Sequence, residues 1–445
     1  MTTDGQQSPL LRVPPPGPES RTWLTRLSRC AAPMGPAPID DPTKVVKTNA
    51  PSHTIVFQRA IGANVLDVDG NRYVDLAAGF GSLLLGHAPA AVKTALAVQA
   101  DRLWQAQGDV YPSDAKVGLL ERLSELFPQP GAQVIIGQSG ADAVTAALKT
   151  AVLATGRPGV LAFEGAYHGL SYAPLSACGL RAGYRDPFLA QLNPNVQFLG
   201  YPGDAAQAAQ TLENAKKALA SGTIGALLVE PILGRGGVVV PPAGFLADLA
   251  RLAKEAGSLL IADEIWTGLG RSGHWFYSVS QGAMPDLICL GKGLGGGLPI
   301  SACVGRGEVM RAWRRTPEVV HTSTFAGAPL SCACALVTLS LLSSGKWIDR
   351  AREVGEHWKQ QLIQIGAQVD ARVQVRGAGM MLAIDLGGAG AAVRVQQALL
   401  ERGYLVSTGG GQRDVLVLTP PLNIEPRLLE EFCAALSGAL QPSVS

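Results

Sequence analysis

Charge is scarce in this 445-residue chain: Asp, Glu, Lys and Arg together make up 16% of it, and the formal net charge is only +2. So even a balance excludes a strong electrostatic pull on nucleic acid or acidic membrane surfaces. There is no P-loop (Gly, four residues, then Gly-Lys-Ser/Thr), which excludes a common nucleoside-triphosphate cradle. No CxxC pair occurs. The 7 cysteines are scattered and odd in number, and Cys332 and Cys334 stand too close for a usual bridge. A reducing, cytoplasmic setting is expected. The N-terminus lacks the apolar run of a secretory leader, and no internal repeat is present. What the chain does have is apolar residues, 47% of it, enough for a large core spread over two or three domains.

The stretch from Val319 to Gly345 carries no Asp, Glu, Lys or Arg and is long enough to span a bilayer. Pro329, His321 and many Ser, Thr and Gly residues dilute it, so a buried helix is expected there and no membrane association. Residues 1–45, with Val13-Pro-Pro-Pro-Gly-Pro18, read as an irregular arm. Residues 54–78 read as a small β-meander, with a hairpin turn at Asp69-Gly70-Asn71.

From about residue 90 to 340, short apolar runs alternate with helical patterns. The runs are Gln133–Ile136, Val160–Phe163, Val196–Leu199, Ala226–Val229, Ser258–Ala262, Leu287–Leu290 and Ser301–Val304. Continuous apolar strands separated by helices predict an α/β fold with a mostly parallel sheet covered on both faces. Further strands are predicted at Gln374–Gly377, Met380–Asp385 and Val415–Leu418. The expected division is an arm at 1–45, a large domain at 86–340, and a smaller α+β domain built from 46–85 and 341–445.

In such a sheet, ligands gather at the carboxyl ends of the strands. Three suggestive segments fall there. Gly137-Gln-Ser139-Gly140-Ala141-Asp142 opens a helix, with Ser139 as a cap and Gly140 allowing close approach, and so offers an anion site. Asp263-Glu264 ends an apolar strand; buried carboxylates in that place mark a metal, a nucleotide or a cationic ring. Lys292 follows the next strand, between glycines. Its loop, Gly291-Lys-Gly293-Leu-Gly-Gly296, formally matches a dinucleotide fingerprint, but Pro299 and a following strand replace the helix that fingerprint requires. A buried lysine forms a Schiff base with an aldehyde, and a buried aspartate holds a pyridine nitrogen in its protonated form. Those are the two groups that pyridoxal phosphate most needs. Tyr167, in the loop Gly165-Ala-Tyr167-His168-Gly169, could stack on a flat cofactor. Thr322-Ser-Thr324 offers hydroxyls for a second phosphate contact. No metal is expected.

Taken in order, these segments resemble class III (subgroup II) pyridoxal-phosphate-dependent aminotransferases of fold type I, over about residues 45–430. The most specific stretch runs from Leu259 to Gly305. Gly86-His87, Glu230-Pro231, Thr324-Phe325 and Arg376-Gly377-Ala378-Gly379 add to it. The resemblance implies a seven-stranded sheet and a homodimer with shared active sites. It implies that Lys292 holds the cofactor and shuttles a proton, that Asp263 pairs with the ring nitrogen, and that Ile265 and Tyr167 cover the two ring faces. It implies that Ser139, Gly140 and Ala141 cradle the phosphate, that Thr324 reaches the phosphate of the neighbouring subunit, and that His168 and Glu230 stand near the cofactor. Phe80 is expected near the substrate.

Two departures concern the substrate. Many members of the family the chain resembles carry an arginine at the position of Val417, and many a glutamate at that of Arg235. Both members of that carboxylate switch are missing here, and Arg235 is expected to bind the substrate carboxylate instead. An amino acid and an oxo acid are the expected partners. Racemisation or epimerisation of an amino acid or lactam, known in the same family, is the alternative.

Overall fold

The computed structural model describes residues 5–32 and 53–441. The predicted meander is present as β1 (Phe57–Ile61), β2 (Asn64–Asp67) and β3 (Arg72–Asp75), paired antiparallel. Its turn forms for a local reason. Asp67 accepts the amides of Asp69 and Asn71 at 3.0 and 2.8 Å, which bends the chain back on itself.

The main sheet is built from β4 (Gln133–Gly137), β5 (Gly159–Phe163), β6 (Val196–Leu199), β7 (Ile224–Val229), β8 (Leu259–Asp263), β9 (Leu287–Leu290) and β10 (Ser301–Gly305). Their order across the sheet is β4-β10-β9-β8-β7-β5-β6. All seven predicted runs are therefore strands, each within one or two residues of expectation. β5, β7, β8, β9 and β10 are buried along their whole length, as continuous apolar runs between two helix layers must be. Each large apolar side chain so buried stabilises the fold by roughly 1.5–3 kcal/mol. Only β10 runs against its neighbours, antiparallel to both β4 and β9. That reversal is what brings the Lys292 loop next to the end of β4.

The third sheet contains β11 (Gln374–Ala378), β12 (Met381–Asp385), β14 (Ser407–Gly409) and β15 (Val415–Leu418), while β13 (Tyr404–Leu405) leaves it to pair in parallel with β3. β13 and β14 are too short to leave a pattern in sequence. They exist because distant strands offer them free edges.

One expectation fails. The arm read as irregular contains a helix, Pro18–Cys30. Pro18 suits a first helical position, but the cap comes from elsewhere: Asp69 in the hairpin turn accepts the amides of Glu19 and Ser20 at 2.8 and 2.9 Å. A cap some fifty positions away is invisible to local reading. Residues 1–4 and 33–45 of that arm lie outside the described residues, as do residues 46–52 of the segment expected to follow it.

The uncharged stretch holds the helix Pro329–Ser343, which buries Cys332, Cys334, Ala335, Leu339 and Leu342. No single helix among the described residues is long and apolar enough to cross a bilayer. Only this helix and Lys346–Val369 taken together are, and they are bent by 64°.

Candidate active site

A cavity of about 400 Å³ opens at the carboxyl ends of the strands. It is lined by Gly140 and Ala141 after β4, Tyr167 and His168 after β5, Glu230 and Arg235 after β7, Asp263 at the end of β8, and Lys292 after β9. Ile265, Trp266, Phe80, Gly169, Ser407 and Thr408 complete the wall. Most of the residues expected at the site are therefore brought together. Ser139 and Thr324 do not line this cavity. Val417 is buried in β15 opposite Ser407.

Lys292 sits at the start of a short 3-10 turn with φ of 36°, a left-handed conformation that a non-glycine residue adopts only where its surroundings hold it. Its Nζ lies 4.6 Å from the centre of the Trp266 ring. Burial lowers the Lys292 amine below the ordinary lysine value; Asp263 and Glu230 push it back up, and Arg235 lowers it further. The result is an amine moved towards its nucleophilic, neutral form.

Asp263 and Glu264 part company. Asp263 faces the cavity, accepts a hydrogen bond from a His168 ring nitrogen at 2.7 Å and another from the Ile265 amide at 3.2 Å. Glu264 turns into the core, where it accepts the amide and hydroxyl of Ser278 at 2.7 and 2.6 Å and the hydroxyl of Thr267. Successive residues at a strand end point to opposite sides, so only one of the pair reaches a ligand. Burial alone would lower the His168 ring, but the hydrogen bond and charge of Asp263 raise it overall. Its other nitrogen, Nε2, is buried without a partner.

Glu230 is held by the Tyr167 amide at 2.7 Å and the Gly234 amide at 2.9 Å. Burial raises its carboxyl, with His168 opposing. The Arg235 guanidinium lies over the Tyr167 ring, 4.4 Å from its centre.

The helix Gly140–Thr155 starts with a capping box: Ser139 Oγ accepts the Asp142 amide, and Asp142 accepts the amides of Gln138 and Ser139. The Ser139 hydroxyl thus serves the cap as an acceptor, and its O–H remains a donor. The amides of Gly140 and Ala141, the next two in line, donate to no described group, and both residues line the cavity. Gly140 has a steric reason to be glycine, because a Cβ there would come within 2.8 Å of Ile265 Cδ1. Two unused amides at a helix start suit an anion. With a buried lysine of lowered basicity and a buried aspartate in the same cavity, the residues fit a flat pyridine aldehyde bearing a phosphate.

Sequence reasoning missed Trp266, Ser407 and Thr408. Trp266 follows Ile265 directly, so its aromatic type was the one available signal. Ser407 and Thr408 arrive from β14, which no local pattern marks.

The sequence from 45 to 440 matches the family model for Aminotransferase class-III. The chain is 37% identical over 383 residues to an acetylornithine aminotransferase of Streptomyces coelicolor, covering 86% of this chain and 90% of that one. It is 36% identical to an acetylornithine aminotransferase of Mycobacterium tuberculosis, covering 90% and 95%. Among solved structures, an amine transaminase from an uncultivated Pseudomonas species, with PLP bound, superposes with a TM-score of 0.82 at 30% identity, covering 91% and 99% of the two chains. The ornithine aminotransferase of Toxoplasma gondii gives 0.79 at 30% identity, covering 89% and 92%.

Proposed function

Because this chain belongs to the class III aminotransferase family, we propose a division of labour among the residues of its cavity. The enzyme is a pyridoxal-phosphate-dependent aminotransferase. The observation that carries the assignment of roles is that Lys292, Asp263 and the unused Gly140 and Ala141 amides line one cavity.

Bound pyridoxal phosphate supplies an aldehyde that takes up the amino group and a cationic ring that accepts electrons. Lys292 would hold the aldehyde through Nζ, and the same Nζ would take and return the substrate's proton. Burial, which lowers the basicity of Nζ, favours both tasks. Asp263 would keep the proton on the ring nitrogen, and His168 holds the Asp263 carboxylate in place. Gly140 and Ala141 would bind the phosphate through their amides, and Ile265 and Tyr167 would pack against the ring. Glu230, already fixed by two amides, would stand near the cofactor.

Arg235 binds the carboxylate of the incoming acid. Its guanidinium lines the same cavity as Lys292 and is the cation that replaces the missing switch. Arg235→Ala should raise the KM for the oxo-acid acceptor roughly a hundredfold with kcat much less affected, the loss of one bidentate contact. An unchanged acceptor KM removes Arg235 from this role. The donor is an amino acid or amine, to be identified by a screen against pyruvate and 2-oxoglutarate.

The working unit is a homodimer with shared sites. Thr324 is exposed and lies outside its own chain's cavity, as a residue serving the neighbour must be. Trp104, Val110, Tyr111 and Phe325 leave apolar surface exposed in the same region, where Gln105 donates to the Thr324 carbonyl at 2.9 Å. Sedimentation should give twice the chain mass; a single-chain mass with full activity contradicts the dimer.

A further inference from the structure

Trp266, the largest side chain of the cavity wall, follows Ile265 in the loop after β8 and is 8% exposed. Two close approaches fix its ring. A Cβ on Gly81 would come within 2.3 Å of Trp266 Nε1, and one on Gly234 within 2.5 Å of Cε3, so the ring edges fill space that two glycines leave open. Gly81 closes the turn Ala78–Gly81, in which Ala78 and Phe80 also take positive φ, 42° and 57°. Asp75 holds that turn by accepting the amides of Ala77 and Ala78 at 3.0 and 2.8 Å. Gly234 is held by the bond from its amide to Glu230 at 2.9 Å. The indole is therefore wedged between two fixed stretches of backbone. Lys292 Nζ lies over its face, 4.6 Å from the ring centre.

Packing alone does not account for an indole at this place. Trp266 Nε1 is buried without a partner. A buried donor left unpaired costs stability, and a phenylalanine would fill the site without it. What the indole adds is the most attractive face for a cation among the aromatic side chains. Lys292 has use for such a face. Asp263 and Glu230 act on its amine through charge, with Arg235 opposing, but no hydrogen bond to Nζ accompanies them among the described residues. His168 and Tyr167 are the other titratable residues of the cavity, and His168 is already bonded to Asp263 at 2.7 Å.

We propose that Trp266 is a positioning residue: its ring face stabilises and orients the Lys292 ammonium each time Nζ carries the substrate's proton. Nζ enters that step as a neutral amine, gains one proton and one positive charge, and gives both back. The ring touches only the charged form to advantage, so it favours taking up the proton without occupying the electron pair that accepts it. The inference rests on the reading of Lys292 as the proton shuttle.

The test uses the full chain loaded with pyridoxamine 5′-phosphate, which leaves the Lys292 amine uncombined. Trace acetic anhydride is applied over a series of pH values, and acetylation of the Lys292 peptide is counted by mass spectrometry. The pH at which Lys292 is half reactive should fall by roughly half a unit in Trp266→Phe, whose face is weaker. Enzyme made with 5-fluorotryptophan at all 7 tryptophans keeps the ring's shape but weakens its face, and should shift in the same direction. Trp266→Phe made the same way should shift no further than Trp266→Phe itself. With pyridoxal phosphate bound, Trp266→Phe should keep its visible absorbance and its acceptor KM while kcat falls about threefold or more. The fluorinated enzyme decides: an unchanged half-reactive pH there overturns the proposal, whatever Trp266→Phe does. The labelling reads the contact whether or not Lys292 shuttles the proton, and turnover in Lys292→Ala reads the shuttle, so the two fail separately.

Discussion

Lys292→Ala, purified with pyridoxal phosphate, should show no visible absorbance from a lysine-bound cofactor and should turn over at least about 10⁴-fold more slowly. Two contributions are lost together. The first is the covalent hold on the aldehyde, which Lys292 makes as the one lysine lining the cavity. The second is the proton shuttle at Nζ, which general acid–base catalysis values at roughly 10²–10⁴ on its own. Lys292→Arg keeps the charge but cannot reproduce either, because a guanidinium does not deprotonate near neutrality. Added amines small enough for the cavity should recover part of the Lys292→Ala activity by supplying the proton transfer alone. Retained absorbance and turnover in Lys292→Ala would end this assignment.

Asp263→Ala should lower kcat roughly 10³-fold while leaving Lys292 able to bind the aldehyde, so the enzyme stays coloured but slow. The cofactor ring accepts electrons only while its nitrogen keeps a proton, and Asp263 is the buried carboxylate in the cavity that is not already bound by two amides. Wild-type turnover in Asp263→Ala would mean that another group protonates the ring. His168 acts through Asp263, and its contribution carries a pH signature. Its folded-state pKa is raised above the ordinary histidine value, so the stability it adds is fully present below about pH 6.5 and is lost as pH rises through the folded value. His168→Gln should therefore lower the apo-enzyme Tm by more at pH 6 than at pH 9. An equal loss at both pH values would show that the ring is neutral throughout and merely fills space.

Much of this was legible in the chain. All seven strands of the main sheet could be read, because a strand covered on both faces must be apolar along its whole length. Lys292 and Asp263 could be read for the same reason: each is a charged residue closing such a run, where burial is costly without a task. The Pro18–Cys30 helix could not be read, since Asp69 caps it from a distant hairpin. Nor could the closing of the capping box at Ser139, which depends on where Asp142 turns its carboxylate.

The sequence by itself determined the sheet, the placing of Lys292 and Asp263 at strand ends, and the absence of an arginine at position 417, because these depend on residue type and spacing along the chain. Only the tertiary structure decided which carboxylate of Asp263-Glu264 faces the cavity. Only it placed Trp266 beneath the Lys292 amine, and brought Arg181 and Arg413 to the same peptide as Arg235. Those decisions rest on register and on contacts that sequence spacing does not mark. A long-range hydrogen bond, such as the one from Arg181 to the Gly410 carbonyl, leaves no periodicity in the residues that make it.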